Sequence, residues 1–220
     1  MTYEIITIGS AVIDAFLETG LDERNNQICM QLGSKLVVDE IWFATGGGGT
    51  NTAVAFSKFG FKTGFVGKLG RDENAKIILK ELKKEKVEFL GARGKESTGF
   101  SAVIDSKKKT RTILTYRGAN DYLHFREINL KNLNADWFYF SSMIGESLKT
   151  QEKLVDFALR KGIKIAYNPS AYLTRQGPKK IKKILANAEI LILNDEEARH
   201  LVPRGDLFRG LHSLGPKIVC

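Results

Sequence analysis

Hydrophobic and polar positions along the first half of the chain predict a succession of short elements. Residues 3–9 form an apolar run closed by Gly9-Ser10, the pattern of a buried strand entering a turn. Residues 16–44 alternate loosely, with scattered glycine and asparagine, and predict short strands rather than helix. Gly46 to Gly49 then break the chain. From Thr50 to Phe59 nearly every residue is small or apolar and Gly60 follows as a C-terminal cap, so a buried helix is predicted. Phe65-Val66-Gly67 reads as a strand. Asp72 is placed to cap the next helix, whose Ala75, Ile78, Leu79 and Leu82 fall at i, i+3, i+4 and i+7. Residues 98–105 and 110–116 predict a hairpin around a lysine-rich turn. It interrupts the alternation of strand and helix and is expected to stand off the main sheet.

Beyond it the alternation becomes regular. Residues 137–140 are strand-like, and 148–161 are helical with Leu154, Val155, Phe157 and Ala158 as a core stripe. A strand over 164–167 ends in Asn168-Pro169, and a helix over 178–187 follows. The strand over 189–193 runs into the acidic helix start Asn194-Asp195-Glu196-Glu197, then come a helix over 206–214 and a strand over 217–220. This spacing means right-handed parallel crossovers and an α/β sheet covered on both faces. A buried parallel strand is normally followed by a crossover, so a core strand at 217–220 raises the expectation of a truncated chain.

Composition narrows the function classes. With 220 residues, 43% apolar and 27% charged, the chain suits one well-filled globular core. It has no apolar run of the length (about 18 residues) that a membrane-spanning helix needs. The N-terminus lacks the basic start and small-residue cleavage site of a secretory signal. Cys29 and Cys220 are too isolated for a disulfide framework or a CxxC site, and a reducing cytoplasm is the expected address. The net charge of +9 could suit a nucleotide or a nucleic acid. The lysines, however, lie along predicted helices (76, 80, 83, 84, 86; then 179, 180, 182, 183), as solvated faces do, without interleaved aromatics. Neither a nucleic acid nor a membrane is expected as a partner.

Ligands of open parallel sheets collect at the carboxyl ends of the strands. Four polar clusters are expected there: Ser10 to Asp14, Gly46 to Asn51, Asn168 to Ser170 and Asn194 to Glu197. The glycine loop opens a helix, where free backbone N–H groups favour an anion or an array of hydroxyl oxygens; a tight strand-to-helix turn is the plainer alternative. It has neither the GK[ST] of a Walker A loop nor the spacing of GxGxxG, which disfavours dinucleotide binding and a dehydrogenase. Asp14 could accept paired hydrogen bonds from a diol, or serve a turn. Asn194 to Glu197 could cap a helix, or hold Mg²⁺ through water beside phosphates. His124, His200 and His212 fit no HExxH spacing, and no GxSxG elbow occurs.

Taken in order, these clusters resemble the ribokinase (PfkB) family of carbohydrate and nucleoside kinases. The most specific block is GGGGTNTAVAFSKFGFKTGFVGKLGRDENAK, Gly46 to Lys76, with support from GSAVID, ESTGFSAVI, RGAN, NPS and NDEE. The resemblance implies a Rossmann-like α/β fold, mainly parallel with helices on both faces, as a single domain over 1–220. A small β lid is implied at about 16–44 and 96–117. It implies an ATP-dependent phosphotransferase acting on an alcohol group of a sugar or nucleoside, with Mg²⁺. Asp14 matches the aspartate that binds sugar hydroxyls; Gly46, Gly47 and Asn51 match the sugar-site glycines and asparagine; Ser101 lies on the matching lid strand. Asn168 is expected near the phosphates, and Asn194 and Glu197 match an N-x-x-E motif that positions Mg²⁺ and triphosphate. Two departures, Val12 and Met143, replace polar residues of ribokinase and argue against ribose. The GAGD motif carrying the family's catalytic aspartate is not among these residues, so that aspartate is expected beyond Cys220; a non-catalytic sugar-binding or nucleoside-binding protein is the alternative. The lid's apolar Phe100, Val103, Ile113 and Leu114 could pair two copies in a homodimer, or equally pack on their own core.

Overall fold

The computed structural model describes residues 2–108 and 110–220, leaving Met1 and Lys109 of the lid turn outside. Seven strands form one parallel sheet in the order Ile218–Val219, Ile190–Leu191, Lys164–Asn168, Ala135–Ser141, Tyr3–Ile8, Thr63–Val66 and Glu88–Phe89. Tyr3–Ile8 is central, with Ile6 opposite Phe138 on one side and Gly64 on the other. Strand order reverses between Tyr3–Ile8 and Ala135–Ser141, so the crevice at their carboxyl ends is the topological switch point.

Two apolar clusters flank the sheet. The larger gathers Phe138, Phe140, Leu154, Val155, Ile165, Tyr167 and Ile184 beneath the helices of the second half. The smaller packs Ala53, Phe65, Leu69, Ala75, Ile78 and Leu82 under Gly48–Lys58 and Glu73–Lys84. Asp72 caps the latter helix by accepting the Ala75 N–H at 2.9 Å. The helix expected at 148–161 starts earlier, at Gly145, and stops where Gly162 turns left-handed (φ 68°). The stretch 178–187 splits into a 3₁₀ turn, Pro178–Ile181, and a short helix, Lys182–Leu185.

One sequence reading changes. Gly48–Lys58 is buried along one face only: Gly49, Thr50 and Ala53 are enclosed, whereas Asn51, Ala55 and Lys58 are exposed. Its small residues reflect close backbone approach rather than burial all round, since a Cβ on Gly49 would come 2.7 Å from the Gly9 carbonyl carbon. Ile218–Val219 stands at the edge of the sheet, with Ile218 exposed. On the face carrying Phe56 and Phe61, Trp137, Tyr139, Ile190 and Ile192 are only half-buried around a groove of about 420 Å³.

The hairpin leaves the main sheet as expected, as part of a second, four-stranded sheet ordered Arg111–Tyr116, Gly99–Asp105, Val12–Glu18, Glu40–Gly46. This lid extends past residues 16 and 44 at both ends of its first segment, to Val12 and Gly46. Its central strands bury Ile13, Ala15 and Val103; its outer strands leave Ile41, Phe43, Ile113 and Leu114 exposed.

Candidate functional site

Asp14 lies not in a turn after the first strand but inside the lid strand Val12–Glu18, paired with Ser101 on one side and Ala44 on the other. Gly46 stands at the end of the outer lid strand Glu40–Gly46, opposite Val12. The Asp14 carboxylate rests on the Gly46 backbone: a Cβ there would fall 2.0 Å from Oδ2. Among the described residues no donor reaches that half-buried carboxylate, whose acceptor capacity is left open at the junction of lid and core. Ser101 is buried, and its hydroxyl accepts from Thr115 at 3.3 Å.

The glycine loop does not offer the free N–H groups its sequence suggests. Ser10, 38 residues upstream of Gly48, takes them: its Oγ accepts the Gly48 N–H at 3.2 Å. Its carbonyl accepts from Gly49 and Thr50 at 3.0 and 3.3 Å. The start of this helix is therefore closed to an anion. Gly47 adopts φ 104° with its Cα against the Ser10 carbonyl, where a Cβ would come within 2.5 Å; glycine is required on both counts. Asn51 sits on the exposed side of the first turn and lines a cleft of about 190 Å³ with Thr45, Ile78 and Glu81, making no hydrogen bond to Asp14.

Around the base of the lid runs a polar collar that sequence reasoning missed. The Asn120 side chain accepts the Ala11 N–H and donates to the Ala11 and Arg117 carbonyls, each at 2.9 Å. Asp72 accepts from the Thr98 N–H and hydroxyl, both at 2.7 Å. Burial alone would push the Asp72 carboxyl up, but these bonds and the Ala75 N–H outweigh it and hold it below the usual carboxylate range. Lys68, buried to 3% exposure, bonds the Tyr122 carbonyl and Glu127 at 2.9 Å and pairs with Glu96 at 3.5 Å. The RGAN and VGKLGRD segments show these residues only as motif letters; no local periodicity marks their tertiary partners.

The second group lies at the carboxyl ends of the neighbouring strands. Asn168 pairs with Ser141, and its amide donates to the Ile192 carbonyl at 3.0 Å. Ser141 abuts Gly9 and Gly48, so this group is continuous with the glycine loop; its buried hydroxyl has no hydrogen-bond partner among the described residues. Ser170, a non-glycine at φ 58°, strains the backbone just after Asn168-Pro169. Asn194 and Glu197 form a reciprocal capping box, the side chain of each meeting the backbone N–H of the other at 2.8 and 3.2 Å. The other Glu197 oxygen makes no hydrogen bond among the described residues. No cluster of three or more His, Cys, Asp or Glu side chains suited to a metal occurs among the described residues. One remaining carboxylate oxygen fits contact with Mg²⁺ through water better than direct coordination. Met143 is fully buried in the larger core, and its apolar side chain is explained by packing. No helix among the described residues is long and apolar enough to cross a membrane.

Comparison with known proteins gives a consistent picture. The model of the pfkB family carbohydrate kinases matches residues 4–207. A ribokinase of Staphylococcus aureus is 27% identical over 209 residues, 91% of this chain and 64% of the relative. A probable fructokinase-5 of Arabidopsis thaliana is 30% identical over 176 residues, 74% of this chain and 54% of the relative. The fold matches the structure of Arabidopsis thaliana ribokinase complexed with ribose and ATP, with a TM-score of 0.83 at 22% identity, over 100% of this chain and 71% of that one. The chain thus spans between about half and two thirds of the length of these curated relatives.

Proposed function

Since the chain belongs to the pfkB family of carbohydrate kinases, we propose that the protein carrying it transfers the γ-phosphoryl group of ATP to a hydroxyl of a sugar or nucleoside. The observation that carries this reading is the half-buried Asp14 carboxylate, bare of donors and seated on Gly46 where lid meets core. A carboxylate with open acceptor sites at that place suits a vicinal diol, each hydroxyl donating to one oxygen. Ser101 pairs with Asp14 on the next lid strand and Gly46 lies under its carboxylate, while Gly47 shapes the turn against Ser10 and Asn51 faces the adjacent cleft beside Thr45. Asn168 and Asn194, at the ends of adjacent strands, serve the phosphates. Glu197 holds the Asn194 backbone and would contact Mg²⁺ through water.

Mg²⁺ bound with ATP would neutralise charge on the transferring phosphoryl group. The chain's own residues bind and orient the acceptor, and the lid excludes water when it closes. The bond from the γ-phosphorus to its bridging oxygen breaks as the sugar oxygen attacks. No residue of this chain is assigned the proton of that hydroxyl. The exposed lid residues Ile41, Phe43, Ile113 and Leu114 support a homodimer through the lid.

The test is a panel of sugars and nucleosides with Mg²⁺ and ATP, using the full-length gene product. ADP formation dependent on one sugar or nucleoside class is the expected result. Saturable binding without ADP formation would instead make this a binding protein. No binding by any member would remove the reading.

A further inference from the structure

Four chain crossings join lid to core: Ala11 entering Val12–Glu18, Gly46-Gly47 leaving Glu40–Gly46, Thr98 entering Gly99–Asp105, and Arg117 leaving Arg111–Tyr116. Three of them meet at one side chain. The Asn120 amide, 1% exposed, bonds Ala11 in both directions at 2.9 Å, as a neighbouring strand would. It also bonds the Arg117 carbonyl at 2.9 Å. It lies flush on Gly99 as well, where a Cβ would come 2.3 Å from Nδ2. The backbone beside it is tied in turn, the Ala119 N–H bonding the Ser97 carbonyl at 2.8 Å.

We propose that Asn120 is a positioning residue that fixes the register and tilt of the lid on the core, and through them the placement of Asp14 over the acceptor. The proposal rests on the kinase reading above for its functional consequence, but not for its mechanical one. Ala11 directly precedes the strand of Asp14, three residues from it, and Gly99 is two from Ser101, the partner of Asp14. In a strand, a slip of one residue turns every side chain to the opposite face, so holding Ala11 and Gly99 at one point decides where Asp14 points. The fourth crossing is held by Ser10, which binds the start of the glycine-loop helix and directly precedes Ala11. Asp72 secures Thr98, beside Gly99, from the helix side. Asn120 alone spans both central lid strands and the exit of the outer one.

Two variants of the full-length product test this. Asn120→Ala removes all three bonds. Asn120→Asp keeps an acceptor for the Ala11 N–H, but as a carboxylate it opposes the Ala11 and Arg117 carbonyls; protonated, it can donate to one of them. Amide hydrogen exchange of unliganded protein should quicken at least about tenfold over residues 12–16 and 100–104, with residues 135–141 unchanged. The KM for the sugar or nucleoside should rise at least about tenfold while that for ATP stays within about twofold. In Asn120→Asp both effects should diminish as pH falls through the titration of the new carboxyl, a recovery that a merely structural role would not produce.

Unaltered lid exchange in Asn120→Asp would overturn the proposal, as would a loosened lid with both KM values rising together. If Asn120→Ala does not fold, Asn120→Asp decides alone. If the wild type phosphorylates and binds nothing in the panel, the kinase reading fails; the exchange arm still decides whether Asn120 sets the lid, and an unchanged lid there overturns the inference.

Discussion

The two sheets are made of similar residues and held by different physics. In the parallel sheet, Thr63–Val66 is buried along its whole length and Tyr3–Ile8 at all but one position. In the lid, Arg111–Tyr116 is exposed throughout and Glu40–Gly46 at five of its seven positions. Apolar burial therefore stabilises the core and reaches the inner lid strands at Ile13, Ala15 and Val103, while the outer lid strands depend on backbone pairing and the lid's attachment on polar side chains gathered at its base. A sheet attached in that way can move as a unit over a fixed floor. The proposed sugar contacts Asp14 and Ser101 lie on the lid, whereas Asn168, Asn194 and Glu197 lie on the floor.

Substitutions can break this contrast. Phe138, fully buried between the rings of Phe140 and Phe157, should cost about 3–5 kcal/mol when cut to alanine. Its exposed lid counterpart Ile113 should cost no more than about 0.5 kcal/mol. Urea unfolding of both variants checks the pair; comparable losses would mean that the lid is as integral as the core. Next comes Lys68, which joins the core edge to the segment below the lid. Lys68→Ala leaves Glu127 and Glu96 without their cation and should cost about 3 kcal/mol. Lys68→Met, which fills the same volume, still strands both carboxylates and should recover only part of that loss.

A smaller effect should come from Asp72 and depend on pH. Its carboxyl titrates lower in the folded protein than in the unfolded chain. The stability it contributes is therefore full above the ordinary carboxylate pKa and is lost as pH falls through the lower, folded value. The stability gap between wild type and Asp72→Asn should be constant from neutral pH down to about pH 5 and narrow below about pH 4. Denaturant melts across that range give the answer, and a gap that widens in acid would mean that hydrogen bonding does not hold the carboxyl down.

Local pattern made much of the fold legible. The helix Glu73–Lys84 follows from its apolar spacing and from Asp72, because an amphipathic face and its cap are encoded within a few turns. The lid hairpin follows equally from two alternating runs about a polar turn. Several features depend on residues far apart in sequence and could not be read in that way. Ser10 closes the helix start that the glycines appear to leave open, and Met143 is a core residue whose polar relatives suggested a pocket. The exposed flank of Gly48–Lys58 has the same alanines and phenylalanine that a buried helix would have. Asn120 and Lys68 have no local signature because each is defined by what it touches across the fold. Asp14 was legible as a candidate, but its place within a lid strand, against Gly46, required the second sheet to be assembled.

The account turns on Asp14, and its most direct test is Asp14→Ala in the full-length product, measured for turnover and thermal stability together. Losing hydrogen bonds to a charged acceptor should cost about 3 kcal/mol of acceptor recognition, a fall of at least about a hundredfold in kcat/KM for the sugar or nucleoside. Because the carboxylate has no donor among the described residues, the unfolding temperature should not fall. Unchanged kcat/KM would contradict the account, and so would a large loss of stability, which would make Asp14 a structural residue of the lid.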